Sequence, residues 1–331
     1  MELVCPAGNL PSLKAAVDAG ADAVYFGLRD DTNARHFPGL NFNPARAAEG
    51  IAYARSRSAR IFMAINTYPR PDGWHRWRAA VDTAARLGVN ALICADIGIL
   101  DYAHRRWPEL PLHLSVQASG TNYEALQFYR DNFAIRRAVL PRVLSLGQVR
   151  RVIERTPVEI EVFGFGSLCV MVEGRCILSS YVTGESPNTH GACSPAHHVE
   201  YRETSRGLES RLGGLLTDRY AEGEQAGYPT LCKGRFEVGG ETFYAIEEPT
   251  SLNTLALLPE LLQAGVKAIK IEGRQRTPAY VGLVAKVWRE AIDSCLRDPG
   301  GYSPRPEWNR ALDQVSEGAT TTLGPYYRPW Q

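Results

Sequence analysis

The sequence predicts an α/β fold, a TIM-like (β/α)8 barrel, with an incomplete barrel of six or seven strands as the alternative. Short apolar runs alternate with helical patterns over the first 164 residues, which is typical of parallel strands joined by helical crossovers. Eight such runs occur in the chain, and eight strands close a barrel. The turn after the first run lacks the G-x-G-x-x-G pattern of a dinucleotide-binding Rossmann fold. We therefore favour the barrel.

The predicted strands are apolar almost throughout and rich in β-branched and small residues, as strands buried on both faces should be. In chain order they are Glu2–Cys5, Ala21–Phe26, Arg60–Asn66, Ala91–Asp96, Leu112–Gln117, Arg136–Pro141, Glu159–Phe163 and Ala268–Ile271.

Helical stretches separate these strands. Proline at a first-turn position marks the start of one helix at Pro44, and glycine follows the ends of others, at Gly20, Gly88 and Gly265. The predicted helices are Leu10–Ala19, Pro44–Ser56, Trp74–Leu87, Asn122–Tyr129, Ser145–Glu154, Leu255–Ala264 and Pro278–Cys295.

The alternation breaks for about a hundred residues before the eighth strand. We predict that 1–164 and 266–298 form the barrel, that 165–265 is an insertion after the seventh strand, and that 299–331 is an irregular tail. The insertion carries a hairpin signal over 235–244, where two successive glycines suit a turn with positive φ. It should emerge at the C-terminal face of the barrel, where such folds keep their chemistry.

Charge and composition exclude several classes of protein. The chain of 331 residues has 37 basic and 36 acidic residues, a net charge of +1, which argues against a broad nucleic-acid footprint and against a polybasic membrane patch. An apolar fraction of 44% excludes a disordered chain. No secretory signal pattern and no run of 18 apolar residues is visible, so we expect a cytoplasmic protein without a transmembrane segment.

Four of the seven cysteines lie in the insertion with the spacing C-x6-C-x16-C-x38-C; they are Cys169, Cys176, Cys193 and Cys232. Four thiolates can hold an iron–sulfur cluster or a tetrahedral zinc ion, and scattered core cysteines are a third interpretation. The close C-x2–4-C pairs of structural zinc sites are absent, which favours the cluster. Cys5, Cys94 and Cys295 lie in predicted strands or helices and are interpreted as core residues.

Candidate catalytic residues follow from the rule that barrel chemistry sits at the C-terminal ends of strands. Arg274 could hold a substrate carboxylate with two hydrogen bonds, and Glu272 could orient that arginine or act as a base. A structural Glu–Arg pair is the alternative. Gln117 could bind substrate or make a structural hydrogen bond. No H-E-x-x-H or G-x-S-x-G motif is present, so proteolysis has no visible machinery.

Several motifs together resemble the collagenase-like peptidase family, over about residues 2 to 295. The signature segments are 161–169 (EVFGFGSLC) and 174–179 (GRCILS), supported by 2–8, 20–27, 115–117 and 270–274. The resemblance implies a [4Fe–4S] cluster whose ligands are Cys169, Cys176, Cys193 and Cys232.

Within the family the chain is most similar to a branch that supports oxygen-independent hydroxylation in ubiquinone biosynthesis. The Asn66-Thr-Tyr-Pro69 segment carries this similarity, and so does the absence of a further C-terminal region found in relatives that act on RNA. It implies an enzyme subunit active as a heterodimer with a homologous UbiV-like subunit, alongside other ubiquinone-biosynthesis proteins. A prenylated phenol is the implied substrate and prephenate the hydroxyl donor. An RNA-modifying hydroxylase and a non-catalytic, cluster-bearing electron-transfer or scaffold subunit are the alternatives.

Overall fold

A closed barrel of eight parallel strands forms the centre of the computed structural model, which describes residues 1–37, 39–169, 171 and 176–327. The strands in chain order are β1 (Glu2–Pro6), β2 (Ala23–Gly27), β3 (Arg60–Ile65), β4 (Ala91–Cys94), β5 (Leu112–Leu114), β6 (Ile135–Val139), β7 (Glu159–Ser167), β8 (Val199–Thr204), β9 (Gly207–Leu212), β10 (Leu215–Tyr220), β11 (Arg235–Val238), β12 (Glu241–Tyr244), β13 (Ser251–Asn253), β14 (Ala268–Ile271) and β15 (Thr321–Thr322).

The barrel consists of β1 to β7 in sequential order, with β14 pairing to both β7 and β1. Ile269 of β14 lies opposite Leu3 of β1 on one side and Val162 of β7 on the other, and this pairing closes the sheet. The predicted (β/α)8 barrel is therefore confirmed, and the alternative of an incomplete barrel is wrong. Each predicted strand overlaps an observed one.

The helices in chain order are α1 (Leu10–Asp18), α2 (Pro44–Arg55), α3 (Trp74–Leu87), α4 (Ile97–Arg106), α5 (Tyr123–Phe133), α6 (Leu146–Arg155), α7 (Ile177–Thr183), α8 (Pro187–His190), α9 (Leu258–Ala264), α10 (Pro278–Arg297) and α11 (Pro306–Asp313).

Two helices differ from the prediction. Helix α4 was not predicted, because its apolar residues follow directly on the apolar run of β4. Asp96 was predicted as the end of that strand. It instead caps the helix, because its side chain accepts from the Ile99 N–H at 3.0 Å. Helix α9 lies within the predicted insertion range 165–265, yet it packs against α6 and α10 on the outside of the barrel. It is therefore the crossover helix that leads into β14.

The barrel interior holds a small apolar cluster and a network of paired charges that contact one another. Tyr25 and Phe62 are the largest members of the apolar cluster, and Lys270 Nζ lies 3.8 Å from the Tyr25 ring centre. Glu161 is 1% exposed and bridges two cations: one oxygen accepts from Lys270 Nζ at 2.7 Å and the other from Arg137 Nη1 at 3.3 Å. Buried charges are tolerated only when they are paired. Through these pairs the network links strands β6, β7 and β14.

The insertion forms two small sheets beside the barrel mouth. Strands β8, β9 and β10 make an antiparallel sheet, and β11 and β12 make the predicted hairpin. Its turn residues Gly239 and Gly240 have φ of 63° and 89°, which confirms the turn. Strand β13 returns to the barrel and pairs antiparallel with the end of β7.

The prediction of an irregular tail over 299–331 is wrong at α11 and β15. Trp308 and Leu312 lie one helical turn apart and are both buried, and β15 pairs with β13. The tail thus covers the barrel through long-range contacts that its sparse apolar pattern did not indicate; residues 328–331 lie outside the described residues. Among the described helices, none combines the length and apolar character needed to cross a membrane.

Replacing Glu161 with Ala should lower the free energy of unfolding by about 3–5 kcal/mol, because it leaves Lys270 buried without its carboxylate. Urea denaturation monitored by circular dichroism measures the change. The matched control is Glu49→Ala, which removes an exposed carboxylate that also pairs with two cations and should cost at most about 1 kcal/mol. Equal losses in the two variants would contradict a special role for the buried network.

Candidate functional site

A cavity opens at the C-terminal ends of the barrel strands, directly above the buried charge network. It is lined by Tyr25, Arg35, Ala64, Asn66, Ile93, Ser115, Val116, Gln117, Val139, Arg142, Phe163, Lys270, Glu272 and Arg274. All three predicted catalytic residues are in this set. The rule that barrel chemistry gathers at this face thus identified residues that the fold brings together.

Gln117 presents an unsatisfied amide oxygen to this cavity. The residue is 3% exposed and sits on a single helical turn after β5, where the Ser115 side chain accepts from its N–H at 3.2 Å. Its main-chain carbonyl accepts from the Tyr68 hydroxyl at 2.8 Å, but its side-chain Oε1 has no hydrogen-bond partner within the described part of the chain. A buried acceptor left unpaired is costly, so this oxygen is suited to receive a donor from a ligand.

Arg274 is held at the cavity by the turn after β14. Gly273 has a φ of 146°, a conformation that glycine adopts without strain, and it directs the chain back over the barrel. Arg274 is 7% exposed; its guanidinium donates to Asn33 Oδ1 and lies 5.7 Å from the Tyr25 ring centre. Burial lowers the pKa of Arg274 to about 10, so the guanidinium stays cationic at neutral pH.

Glu272 is half-buried beside this arginine, but the two side chains do not form the structural Glu–Arg ion pair that was the alternative to a catalytic role. Across the described residues Glu272 makes no ion pair, with Arg274 or any other cation. Its main-chain N–H donates to Phe165 O at 2.9 Å. A Cβ at Gly166 would stand 2.6 Å from the Glu272 Cβ, so glycine is required there for close approach. Glu272 therefore faces the cavity with a carboxylate available to a ligand.

The cavity is strongly cationic. Lys270 is neutralised by Glu161, and Arg142 donates to the main-chain oxygen of Ser167 while lying 4.4 Å from the Phe163 ring centre. Arg35 donates to two main-chain oxygens, and within the described ranges neither Arg35 nor Arg274 has a carboxylate partner. The guanidinium groups of Arg35 and Arg274 outnumber the Glu272 carboxylate in this lining and therefore favour an anionic ligand.

The four insertion cysteines come from four separate segments. Cys169 follows β7, Cys176 caps α7, Cys193 lies between α8 and β8, and Cys232 lies on a helical turn before β11. Part of the signature loop between the first two, residues 170 and 172–175, lies outside the described residues.

The thiols interact electrostatically as a group. Burial, together with the charges of the other three thiols and against the opposing effect of Lys233, raises the pKa of Cys232 to about 12. Among the described residues no three of these sulfurs lie within 4.8 Å of one another. Tetrahedral zinc with Zn–S bonds of about 2.3 Å would place its sulfurs about 3.8 Å apart, so these sulfurs as they stand do not form a tetrahedral zinc site.

Contacts from the cavity lining, from within the insertion and from the tail hold the cysteine segments in place. Arg35 donates to the main-chain oxygen of Gly191, two residues before Cys193, at 3.3 Å. Ser179 links two of the segments, since its N–H lies 3.4 Å from Cys176 Sγ and its hydroxyl donates to Cys193 O. Glu317 of the tail binds the other two segments, those of Cys169 and Cys232.

That tail carboxylate accepts from the Ser167 hydroxyl, two residues before Cys169, and pairs with Lys233, next to Cys232. A tail residue therefore fixes two cysteine segments at once, and no sequence motif indicates this. Asn33 and Arg35 were missed as well, although both lie in the loop after β2, where a barrel is expected to carry functional residues. Cys5, Cys94 and Cys295 are buried away from the thiol group, as predicted.

Replacing Gly166 with Ala should displace Glu272 and lower the free energy of unfolding by about 1–3 kcal/mol, because a Cβ there clashes and a φ of 118° is strained for alanine. Gly147→Ala on α6 is the control: a Cβ there meets no atom within 4 Å, and stability should rise by up to about 1 kcal/mol. Chemical denaturation compares the two; a neutral Gly166→Ala variant would refute the close approach.

Comparison with known proteins shows the family. The model of peptidase family U32 matches residues 8–328. The tRNA hydroxylation protein P1 of Bacillus subtilis is 30% identical over 97% of this chain and 70% of its own length, and the tRNA hydroxylation protein P of Escherichia coli is 31% identical over 88% and 68%. The Collagenase of Porphyromonas gingivalis is 31% identical over 95% and 70%. The chain belongs to peptidase family U32.

Proposed function

We propose that this chain is an iron–sulfur subunit of an oxygen-independent hydroxylase in ubiquinone biosynthesis, the role that UbiU has in the family. The observation that carries the proposal is the convergence of four cysteine segments on the mouth of a cationic cavity. Relatives named as hydroxylation proteins support hydroxylation as the reaction class. The near-zero net charge argues against a nucleic-acid substrate, and the motifs shared with the ubiquinone branch favour a prenylated phenol.

Cys169, Cys176, Cys193 and Cys232 are the proposed ligands of a [4Fe–4S] cluster, in which each iron is held by one thiolate. The four thiols act electrostatically on one another, which supports their grouping around one cluster. The raised pKa of Cys232 means that its proton must leave when metal binds, so assembly releases protons. When bound, the cluster would supply one-electron transfer.

The cavity residues are proposed to bind the hydroxyl donor. Prephenate carries two carboxylates and a hydroxyl group. Arg274 and Arg35 can each bind a carboxylate, and a guanidinium does so with two parallel hydrogen bonds. The unpaired Oε1 of Gln117 can accept from the hydroxyl. Glu272 is the acidic side chain in the described lining of the cavity and can receive a proton from the bound donor.

A homologous UbiV-like subunit is the proposed partner. A prenylated phenol is a greasy substrate, and four cations, Arg35, Arg142, Lys270 and Arg274, stand among the apolar side chains that line the described cavity. The prenyl chain therefore needs an apolar surface from elsewhere, which a second subunit or another ubiquinone-biosynthesis protein would provide. The proposed active unit is a heterodimer.

RNA hydroxylation is the second candidate function. It is supported by the relatives named for tRNA hydroxylation, which are about 30% identical across most of this chain. Arg274 and Gln117 are assigned to the hydroxyl donor, so they would serve a phenol acceptor or an RNA acceptor equally. The product formed in cells separates the two candidates.

Each of the substitutions Cys169→Ala, Cys176→Ala, Cys193→Ala and Cys232→Ala should remove most of the bound iron and the visible colour of anaerobically purified protein. The reason is that a cluster missing one of its thiolates is exposed to solvent and lost. Iron and sulfide analysis measures this. Cys295→Ala, on α10, is the control and should keep a full complement. Unchanged iron and sulfide in all four variants would rule out the proposed ligand set.

Arg274→Lys should abolish ubiquinone formation in anaerobic cells while leaving the fold and the iron content intact. Lysine offers a point charge in place of a bidentate fork, and losing a charged hydrogen bond costs about 1.5–3 kcal/mol, roughly ten- to a hundredfold in affinity. Quinone extraction from cells carrying the variant measures it, with Arg46→Lys, at an exposed site on α2, as control.

Three outcomes would contradict this assignment. Lower thermal stability with normal activity per folded molecule would make Arg274 a structural residue. Normal ubiquinone with loss of a hydroxylated tRNA nucleoside would move the function to RNA. A strain that lacks the protein should lose ubiquinone. If Arg274→Lys restores ubiquinone in full, the chain is a non-catalytic electron-transfer or scaffold subunit.

A further inference from the structure

A second group of metal-binding side chains lies in the insertion and shares no residue with the four cysteines. Glu185 follows α7, and His197 and His198 lie on the helical turn before β8. One donor atom from each of these three residues lies within 4.8 Å of the others. It is the only such group of three among the residues that the structure describes.

The distances suit direct metal coordination. His197 Nε2 lies 3.1 Å and His198 Nε2 lies 3.8 Å from the same oxygen, Glu185 Oε1. Ligands at about 2.0–2.2 Å from a tetrahedral ion stand about 3.3–3.6 Å apart, so small side-chain rotations would bring all three into place. On the opposite oxygen, His190 Nδ1 lies 3.9 Å from Glu185 Oε2 and stands outside this group of three.

The backbone on which these side chains stand is fixed. Glu185 donates its N–H to the buried Thr183 Oγ1 at 3.1 Å, and Gly184 ends α7 in the left-handed conformation. On the other side, His198 O accepts from the Gly213 N–H at 2.8 Å, which pins the imidazole turn to the β9–β10 turn. The donors are thus presented by two separately anchored segments.

The imidazoles are otherwise unused. The described residues include no hydrogen-bond partner for His190, His197 or His198 side chains apart from Glu185. The His197 and His198 rings lie with their centres 4.3 Å apart, and His197 is 64% exposed, so a water molecule can complete the coordination. Imidazole and carboxylate donors together favour zinc-class transition metals over magnesium or calcium.

We propose that Glu185, His197 and His198 bind one divalent transition-metal ion of the zinc class. Cys193 lies between Glu185 and His197 in the chain, so the ion would fix both ends of the segment that carries this cysteine. The site therefore stabilises the cysteine-bearing face of the insertion, independently of whether the four thiols hold a cluster.

Cobalt(II) is the probe for this site. Tag-free, full-length protein purified anaerobically with its native iron content is dialysed against Co²⁺, and bound cobalt is measured by mass spectrometry alongside visible absorption. We expect one Co²⁺ per chain in addition to the native metal. His197→Ala and Glu185→Gln should each weaken binding at least tenfold, because loss of even a supporting group costs 10–100-fold in metal affinity.

His75→Ala is the matched control, since it removes an exposed histidine on α3 and should leave cobalt binding unchanged. Circular dichroism checks that each variant is folded. If His197→Ala is destabilised, Glu185→Gln still tests the site, because it preserves the size of the side chain. Full cobalt binding in both site variants would overturn the proposal. So would cobalt that survives in them but is lost in Cys193→Ala, because that metal would be bound to thiolates.

Discussion

Closure of the barrel across the insertion is the constraint on which the rest of the structure depends. Strand β14 is about a hundred residues beyond β7, yet it pairs with both β7 and β1. The register shifts within β7 at Gly164, which is the extra residue of a bulge. A Cβ at Gly164 would meet Ile269 at 2.4 Å, so only glycine lets β14 approach here. Gly164 and Gly166 of the signature are therefore packing requirements of the closed barrel.

The same closure brings two chemistries to one end of the molecule. Strand β7 leads directly into Cys169, and β14 leads directly into Glu272 and Arg274. Because neighbouring parallel strands end at the same face, the start of the cysteine group and the cationic cavity become adjacent. Arg35 and Arg142 then bridge them, each lining the cavity while donating to a main-chain oxygen near a cysteine. The barrel mouth and the insertion thus form one site.

Charge in the barrel is divided between cations that have a carboxylate partner and cations that lack one. Glu161 pairs with Lys270 and Arg137, and burial with nearby cations holds the pKa of His113 well below its usual value. Arg274 has no carboxylate partner among the described residues. A ligand anion therefore meets its strongest attraction at the mouth, beside the cysteines.

The sequence by itself determined the eight strands, most crossover helices and the identity of the four cysteines as a set, because apolar periodicity and residue type are local properties. It also indicated Gln117, Glu272 and Arg274, because strand ends mark the barrel mouth. Helix α4 escaped detection because its apolar residues continue the run of β4, and α11 because its stability comes from burying Trp308 against distant residues.

Only the tertiary structure decided which charges are paired. Glu272 and Arg274 are two residues apart and of opposite charge, yet the turn at Gly273 directs Arg274 to Asn33 instead. Likewise, Glu317 secures the segments of Cys169 and Cys232 from the far end of the chain. Such pairings depend on the three-dimensional path of the backbone, which sequence spacing does not encode.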